Sequence, residues 1–358
     1  MKFKLYKNSK IFIVCPANVD TGGPMCLHQL ADRLRKKFKK KVYMSYFPYK
    51  LKNPIHKNYK HLKIPFTKRI SDFKRNVLII PEFYEAIEIS KKYKNIQKGL
   101  WWLSVDFYLY HRFIYKNHSI LRSIIKIPYK IIYLINKISY HYFGNLSLFR
   151  YLKLIYLNIP FYNVFKIENI DINLSHSEYQ FKTLKDKNIN SNFLSDSINN
   201  KYIIASKKIS IKNKKDIICY NPRKSSIFFE KFIKLNPDIK FIPLIGLNLN
   251  QLITILSKSK IYMDFGFHPG QDRLPREAAL LKNCIITNKE GSAAIFKDLP
   301  IADEFKFNER RNSNKKIREK IDQIFYSFPK ELEKFRNYRK ILHSQEKKYI
   351  GQIANLFG

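Results

Sequence analysis

The chain has 358 residues, a length at which about two domains are expected, so a small disulfide-stabilised module is excluded. Hydrophobic residues make up 45% of the sequence, which is enough for extensive cores and excludes wholesale disorder. The 68 Lys and Arg residues exceed the 28 Asp and Glu residues by 40, so we expect a polyanionic partner: nucleic acid, anionic lipid or a phosphorylated substrate.

Apolar runs and helical periodicity alternate in the first half of the chain. Residues 11–15 form a continuous apolar run, which predicts a core strand rather than a signal peptide. A glycine-bearing loop and an amphipathic pattern over 25–34 then predict a helix, and residues 42–47 predict the next strand. This alternation is typical of a doubly wound parallel sheet. Further strands are predicted at 77–80, 100–105 and 170–174.

The segment 107–167 contains no Asp or Glu, and its lysines and arginines recur every few residues among Ile, Leu, Tyr and Phe. The cations are too frequent for a membrane-spanning helix. This spacing predicts a basic, aromatic, helical insertion that lies on an anionic membrane surface. The aliphatic parts of the lysine side chains would then lie against the apolar region and their ammonium groups at the headgroups. The alternative is an insertion packed on its own domain with solvated charges.

The four cysteines form no CxxC pair, and three of them lie in or beside apolar runs. This pattern indicates reduced, buried thiols and hence the cytosol. Together with the basic insertion, it predicts a cytoplasmic protein that is peripheral on the inner face of the cytoplasmic membrane.

A second alternation follows the polar stretch 206–215, which we interpret as a linker. Three βα units within about 75 residues predict a second doubly wound domain. The fold class is therefore α/β, with Rossmann-like domains at 1–205 and 216–328 and a helical segment at 329–358. In this second half, strands are predicted at 216–220, 239–245, 261–265 and 284–287, and helices at 226–235, 250–259 and 276–282.

Glycine is scarce, with 10 residues in 358, so its positions are informative. Gly22 and Gly23 open the first helix, where backbone N–H groups can face a diphosphate or an acceptor hydroxyl. This loop is not GxGxxG and no acidic residue follows about 20 residues later, which disfavours a dinucleotide-binding dehydrogenase. The chain also lacks GxxxxGK[ST], which excludes a P-loop NTPase.

The densest group of charged residues follows the predicted strand at 261–265. Its three carboxylates are unusual in a chain so poor in acids, and two arginines beside them suit a diphosphate. Glu277 has two possible roles, binding of ribose hydroxyls or a favourable interaction with a helix dipole. Upstream, Arg223 and Lys224 either hold phosphate charge or are solvated loop cations. The candidate residues of the dense group are Asp264, His268, Gly270, Asp272, Arg273, Arg276 and Glu277.

The segment DFGFHPGQDRLPREAALLKNCIITNKEGSA resembles the donor-binding half of bacterial GT-B glycosyltransferases. PANVDTGGPMCLHQLADRL, GLWWLSVDFY and INLSHSEYQFKTL are similar to their acceptor half. The resemblance implies two Rossmann-like domains facing a cleft, with a nucleotide-sugar held by the second domain. It also implies a final helix that crosses back to the first domain, and no essential metal or cofactor.

Residue by residue, the resemblance assigns Glu277 to the donor ribose and Arg223 with Lys224 to the donor diphosphate. It assigns Gly22 and Gly23 to the loop that faces the cleft. Many retaining members have a second glutamate eight residues before the first, where this chain has Pro269. An inverting enzyme needs a base near the acceptor hydroxyl, and Asp20 and Asp106 are the candidates. Each of them has an alternative role as a turn or strand-end carboxylate.

The function expected from these features is transfer of a sugar from a nucleotide-diphosphate sugar to a glycan or lipid-linked acceptor in cell-surface polysaccharide biosynthesis, such as that of lipopolysaccharide. A nucleic-acid-binding basic protein is an alternative, motivated by the charge of +40 and the 24 tyrosines. Against it, the cations are dispersed, RNP-like and helix-turn-helix signatures are absent, and an AT-rich genome would explain much of the lysine content. A sugar-nucleotide epimerase of the same architecture is the other alternative.

Overall fold

The computed structural model describes residues 1–49, 51–109, 112, 165–310 and 312–358. These residues form two compact units, the first from 1–112, 165–197 and 346–358 and the second from 198–345 within the described ranges. Each unit contains one parallel sheet with helices, which confirms the α/β class and two Rossmann-like domains. Most of the predicted basic insertion at 107–167 lies outside the described residues.

The first unit contains six parallel strands in the order β2-β1-β3-β4-β5-β6. The first strand is buried at six of its seven residues because helices cover both faces of a parallel sheet. The short last strand was not predicted, since its three residues are only partly buried and carry no apolar run. The elements are β1 (Lys10–Pro16), α1 (Gly22–Lys36), β2 (Lys41–Phe47), β3 (Val77–Pro81), α2 (Tyr84–Ser90), β4 (Gln97–Trp102), β5 (Ile172–Ser175), α3 (Glu178–Lys185) and β6 (Ser191–Phe193).

The second unit contains five parallel strands in the order β11-β10-β9-β7-β8. The predicted strands and helices of this half are all present, with ends shifted by a few residues. The elements are α4 (Asn200–Lys208), β7 (Lys215–Tyr220), α5 (Ile227–Leu235), β8 (Lys240–Pro243), α6 (Leu249–Lys258), β9 (Ser259–Asp264), α7 (Arg273–Leu280), β10 (Cys284–Asn288), β11 (Lys306–Phe307), α8 (Ser313–Tyr326) and α9 (Phe328–Glu333).

The last helix, α10 (Arg336–Phe357), begins in the second unit, and its residues from Glu346 onward belong to the first. In the first unit it contributes four fully or almost fully buried side chains to the core beside β1 and α1: Tyr349, Ile353, Leu356 and Phe357. Among the described residues, no helix combines the length and the apolar character that crossing a bilayer requires.

The polar stretch 206–215 contributes a buried ammonium group to the second unit. Lys214 Nζ donates to the carbonyl oxygens of Leu256 at 2.9 Å, Ser259 at 2.7 Å and Leu281 at 2.6 Å. Two of these carbonyls lie at the C-terminal ends of α6 and α7, where backbone acceptors have no partner within the helix. The end of this stretch is therefore fixed to the second unit by Lys214 and is not a solvated linker.

Candidate active site

Three loops meet at the carboxyl edge of the second sheet. They follow β7, β9 and β10, which end side by side because β9 pairs with both neighbours. Ser226 N donates to the carbonyl oxygen of Phe265 at 3.0 Å, and Asn288 Nδ2 donates to that of Gly266 at 2.7 Å. A Cβ atom at Gly266 would lie 2.4 Å from the carbonyl oxygen of Lys224. Glycine is thus required for the close approach of the first two loops.

A cluster of charged side chains joins the loops after β7 and β9. Lys224 Nζ lies 2.5 Å from Asp272 Oδ1, and His268 Nδ1 lies 2.7 Å from Asp272 Oδ2. His268 is 1% exposed, and its Nε2 lies 3.3 Å from both the Asp264 carbonyl oxygen and Thr287 Oγ1. The structure therefore brings together four of the predicted site residues in what we call the Asp272 cluster: Lys224, Asp264, His268 and Asp272.

Burial and neighbouring charges shift the pKa of each group in the Asp272 cluster. Burial raises the pKa of Asp264, although the charges of His268 and Lys224 oppose this effect. Burial alone would lower the pKa of His268, but the Asp264 charge and the hydrogen bond to Asp272 raise it. Burial likewise opposes charge at Lys224 and Asp272, yet their ion pair raises the pKa of Lys224 and holds that of Asp272 well below its usual range.

The Asp272 cluster also resembles a cation site in its spacing. One ligand atom each from Asp264, His268 and Asp272 lies within 4.8 Å of the others. The Lys224 ammonium, in contact with Asp272, already supplies a positive charge at this place. The Lys224 side chain is 31% exposed, so its ammonium is the positive charge of the cluster that an anion can reach.

Asp272→Asn should lower the pKa of His268, because the hydrogen bond and charge of Asp272 that help to raise it are lost while the effect of burial stays. A raised folded-state pKa at His268 gives stability that is complete below pH about 6.5 and is lost as the pH rises through that pKa. We therefore expect the variant to lose about 2 kcal/mol of unfolding free energy at pH 6 and less at pH 8.

NMR titration of the His268 ring and chemical denaturation at the two pH values measure these effects. Asp238→Asn is the matched control, because the Asp238 carboxylate pairs with Arg318 at the surface and does not contact His268. An unchanged His268 titration in Asp272→Asn would contradict the assignment of Asp272 as its partner.

Helix α7 places Glu277 differently from the sequence prediction. It begins at Arg273, three residues earlier than predicted, with Asp272 as N-cap and Pro275 tolerated in the first turn. Glu277 consequently lies beyond the first turn, so a simple helix-dipole role is wrong. Its Oε1 accepts hydrogen bonds from Arg273 Nε at 3.1 Å and Nη2 at 2.7 Å. The Glu277 side chain is 3% exposed and that of Arg273 is 36% exposed.

Arg276 points into the second unit and is only 1% exposed. Its Nε donates to the carbonyl oxygen of Asp272 at 3.0 Å, and its Nη2 donates to that of Gln271 at 3.2 Å. A third donor, Nη1, lies 3.3 Å from Gln345 Oε1. The predicted contact of Arg276 with a diphosphate is inconsistent with this burial. Arg276 instead fixes the loop that carries the Asp272 carboxylate.

Arg223 is exposed and immediately precedes Lys224 in the loop after β7. Its backbone N–H donates to Asn221 Oδ1 at 3.2 Å, which stabilises the turn. Within the described ranges, the side chain of Arg223 takes part in no salt bridge. Of the two predicted cations, Lys224 is thus held by the Asp272 carboxylate and Arg223 extends to solvent.

The loop after β10 completes this edge. Gly291 has φ +52°, and Ser292 N donates to the carbonyl oxygen of His268 at 2.9 Å. Ser292 Oγ donates to the carbonyl oxygen of the predicted site residue Gly270 at 2.5 Å. The sequence analysis did not single out Glu309, whose Oε1 accepts from Asn288 Nδ2 at 2.6 Å. The sequence marks Glu309 in one way only: it is an acidic residue in a chain that has few of them.

The predicted residues of the first unit lie at the carboxyl edges of β1 and β4. Gly22 and Gly23 form the first turn of α1, after Thr21 as N-cap. Asp20 is exposed, and its Oδ1 accepts from Tyr59 Oη at 2.7 Å. Asp106 is fully buried and accepts from the hydroxyl of Tyr179 at 3.2 Å.

Glu82 is a third carboxylate at this edge and was not predicted. It directly follows β3 and is 2% exposed. Its Oε2 accepts from the backbone N–H of Leu103 at 3.1 Å, and burial raises the pKa of Glu82 to about 8. Glu82 is therefore protonated over most of the neutral range.

Comparison with known proteins gives the fold. Neither a known protein family nor a curated protein sequence matches the chain. Among solved structures, Anabaena Alr3699/HepE in complex with UDP-glucose aligns with 97% of this chain and 98% of its own, with a TM-score of 0.57 and 10% identity. An alpha-glucosyltransferase in complex with UDP and a 13-mer DNA aligns with 96% of this chain and 99% of its own (TM-score 0.50, 11% identity). The chain has the GT-B fold.

A third GT-B structure is an S. aureus TarM mutant in complex with fondaparinux, alpha-GlcNAc-glycerol and UDP. It aligns with 81% of this chain and 56% of its own length, with a TM-score of 0.51 and 13% identity. The resemblance of the segment from Asp264 onward to GT-B proteins is therefore confirmed at the level of the fold. In this chain, the segment supplies the Asp272 cluster.

Proposed function

We propose that the protein is a glycosyltransferase that moves a sugar from a nucleotide-diphosphate sugar to a glycan or lipid-linked acceptor. The observation that carries this proposal is the Asp272 cluster, with exposed Arg223 beside Lys224, at the carboxyl edge of the second sheet. Ligands of doubly wound folds bind at this edge. Neighbours of the same fold that are bound to UDP or UDP-glucose support a nucleotide-diphosphate donor.

The transfer step follows from the charges of this edge. Breaking the bond between sugar and diphosphate develops positive charge on the anomeric carbon and negative charge on the leaving group. Arg223 and Lys224 stabilise that leaving group as preorganised cations, and the N-terminus of α7 adds a partial positive charge. Since the chain supplies these charges itself, the proposed step uses no cofactor and no metal.

Glu277 is the proposed ribose-binding residue. In this structure its Oε1 accepts from Arg273, whose side chain is one-third exposed. When a donor binds, the ribose hydroxyls replace Arg273 at the carboxylate, and the freed guanidinium turns to the diphosphate. The Glu277–Arg273 ion pair then supplies both predicted contacts, with Glu277 at the ribose and Arg273 at the diphosphate.

The acceptor base of an inverting transfer must reach a substrate hydroxyl. Asp20 accepts hydrogen bonds from Tyr59 and Asn58 but is exposed, whereas Asp106 accepts from Tyr179 and is 0% exposed. We therefore assign the base role to Asp20 and a positioning role to Asp106. Asp20 lies in the loop after β1, two residues before Gly22, and the backbone N–H groups of Gly22 and Gly23 open α1.

We further propose that the reaction serves cell-surface polysaccharide synthesis at the inner face of the cytoplasmic membrane. The charge of +40 supports an anionic surface as partner. A pocket of about 580 Å³ in the first unit, which we call the basic pocket, adds support because no acidic residue lines it. Its lining residues are Arg35, Lys36, Lys39, Lys40, His61, Leu62 and Lys63.

Lys39→Glu/Lys40→Glu should weaken binding to vesicles that contain anionic lipid by about 30-fold or more, because each of the two lost cations contributes about 1 kcal/mol near such a surface. Vesicle flotation at physiological salt measures the effect. Lys315→Glu/Lys316→Glu changes the net charge equally at an exposed place in the second unit and should bind almost as well as the wild type. Equal losses in both variants would show that only net charge matters, and would contradict a role for the basic pocket.

A panel of nucleotide-diphosphate sugars tests the proposed activity. We expect one donor to raise the thermal midpoint and, with a glycan or lipid-linked acceptor, to release the nucleoside diphosphate. An epimerase would convert the sugar while it stays attached to the nucleotide, so product analysis separates the two functions. A nucleic-acid-binding protein would instead bind strands tightly, with a steep salt dependence and a sequence preference. Absence of any stabilising donor together with such binding would overturn the proposal.

A further inference from the structure

A second group of chemistry-bearing side chains lies in the first unit. Cys26, His176 and Asp196 are buried, with exposures of 4%, 6% and 1%. Cys26 Sγ lies 3.8 Å and Asp196 Oδ1 lies 3.3 Å from the same atom, His176 Nε2. One ligand atom from each of the three residues lies within 4.8 Å of the others. Side chains from α1 and from the ends of β5 and β6 thus converge on one point.

One nitrogen of His176 faces both of the other groups. His176 Nε2 carries at most one proton, so it either donates to Asp196 or accepts from the Cys26 thiol, but cannot do both. A cation at this point would accept a lone pair from each of the three groups at once.

The three side chains offer three different donor atoms, a sulfur, a nitrogen and a carboxylate oxygen, at one buried point. Thiolate, imidazole and carboxylate are the donors that Zn²⁺ takes in proteins.

The backbone that carries Asp196 is fixed on both sides. Before it, the N–H and Oγ of Ser195 donate to Gln352 Oε1 at 2.9 and 2.8 Å. After it, the carbonyl oxygen of Ser197 accepts from Gln29 Nε2 at 2.9 Å. Gln29 lies three residues after Cys26 on α1, so one helix face both holds the loop and presents the sulfur. The convergence is thus preorganised rather than a chance approach of mobile side chains.

The distances match the edges of a zinc tetrahedron. With Zn–S of about 2.3 Å, Zn–N of about 2.05 Å and Zn–O of about 2.1 Å, tetrahedral angles give S···N and N···O separations of about 3.6 and 3.4 Å. The observed separations are 3.8 and 3.3 Å. We propose that Cys26, His176 and Asp196 bind Zn²⁺ as a structural site of the first unit and supply three of its ligands. This site is independent of the proposed transfer step.

Metal binding to the full-length protein tests the site directly. After removal of metal with a chelator, we expect one equivalent of Zn²⁺ to bind in competition with a chromogenic chelator and to raise the thermal midpoint. Co²⁺ should produce the near-ultraviolet charge-transfer band of a cobalt–thiolate bond. Cys26→Ser should abolish this band, and Asp196→Asn should weaken Zn²⁺ binding by at least about 100-fold, since even outer-shell partners contribute 10–100-fold.

Cys15→Ala is the matched control, because Cys15 is a buried thiol of the same unit whose Sγ faces a backbone carbonyl. It should retain the cobalt band and the affinity. Near-ultraviolet circular dichroism of each metal-free variant shows whether it is folded. Absence of stoichiometric Zn²⁺ binding by the wild type, or an unchanged cobalt band in folded Cys26→Ser, would overturn the proposal. Failure of the donor panel would leave these outcomes unaffected.

Discussion

Arg223→Ala/Lys224→Ala is expected to lower kcat/KM for the nucleotide-sugar donor by about 10³-fold, mainly through kcat. Removal of one preorganised donor to a developing negative charge costs about 10²–10³-fold, and this variant removes two cations. Because the diphosphate carries more negative charge as the sugar bond breaks, the loss should fall on the transfer step more than on donor binding. Steady-state kinetics with the donor that the panel identifies measures kcat and KM separately, and so distinguishes a loss in the transfer step from a loss in donor binding.

Two further variants show whether the loss is local. Lys231→Ala/Lys234→Ala removes two exposed cations from α5 in the same unit and should keep activity within about twofold, as expected for surface substitutions. Arg223→Ala alone removes an exposed side chain, so its thermal midpoint should equal that of the wild type while its activity falls. Wild-type kinetics in the double variant would contradict the assigned diphosphate site.

Gly291→Ala should destabilise the second unit by about 4 kcal/mol and abolish activity. The residue has φ +52°, a conformation that costs a side chain about 1–2 kcal/mol. A Cβ atom there would also lie 2.0 Å from the carbonyl oxygen of His268, so the loop after β10 must separate from the loop after β9. That movement breaks the hydrogen bond from Ser292 N to His268 and displaces the Asp272 cluster. Chemical denaturation and donor turnover measure the two effects.

Gly246→Ala separates the two causes of this loss. Gly246 has φ +66°, but a Cβ atom there meets nothing within 4 Å. Gly246→Ala should lower the free energy of unfolding by only about 1–2 kcal/mol, the cost of placing a side chain at positive φ, and should leave activity unchanged. Equal losses of stability in the two variants would mean that the loop after β10 relaxes freely, and that its contact with His268 does not hold the site together.

Sequence reasoning predicted the strands well because each buried parallel strand is a short apolar run. The run at 11–15 became β1, and the run at 284–287 became β10. It also found the segment from Asp264 to Glu277, because charged residues concentrated after a strand are unusual in this composition. The start of α7 was predicted three residues too late, since Pro275 was not recognised as a first-turn proline.

The contacts that build the site depended on strand order, which local patterns do not contain. In sequence β8 lies between β7 and β9, but in the sheet β9 is next to β7 and β8 is at the edge. Only this order brings Lys224 to Asp272, 48 positions away. The contact between Cys26 and His176, which are 150 positions apart, could not be predicted from the sequence for the same reason. The burial of Arg276 was missed because a cation on an amphipathic helix is normally solvated.

The Lys214 ammonium has a consequence for chemical footprinting. Because it is buried and donates to three carbonyl oxygens, an amine-acylating reagent in water cannot reach its lone pair while the second unit is folded. Most other lysines that the structure describes are solvent-accessible and should react much faster. Modification of Lys214, followed peptide by peptide, therefore reports the opening rate of this unit in the intact protein, without an engineered probe.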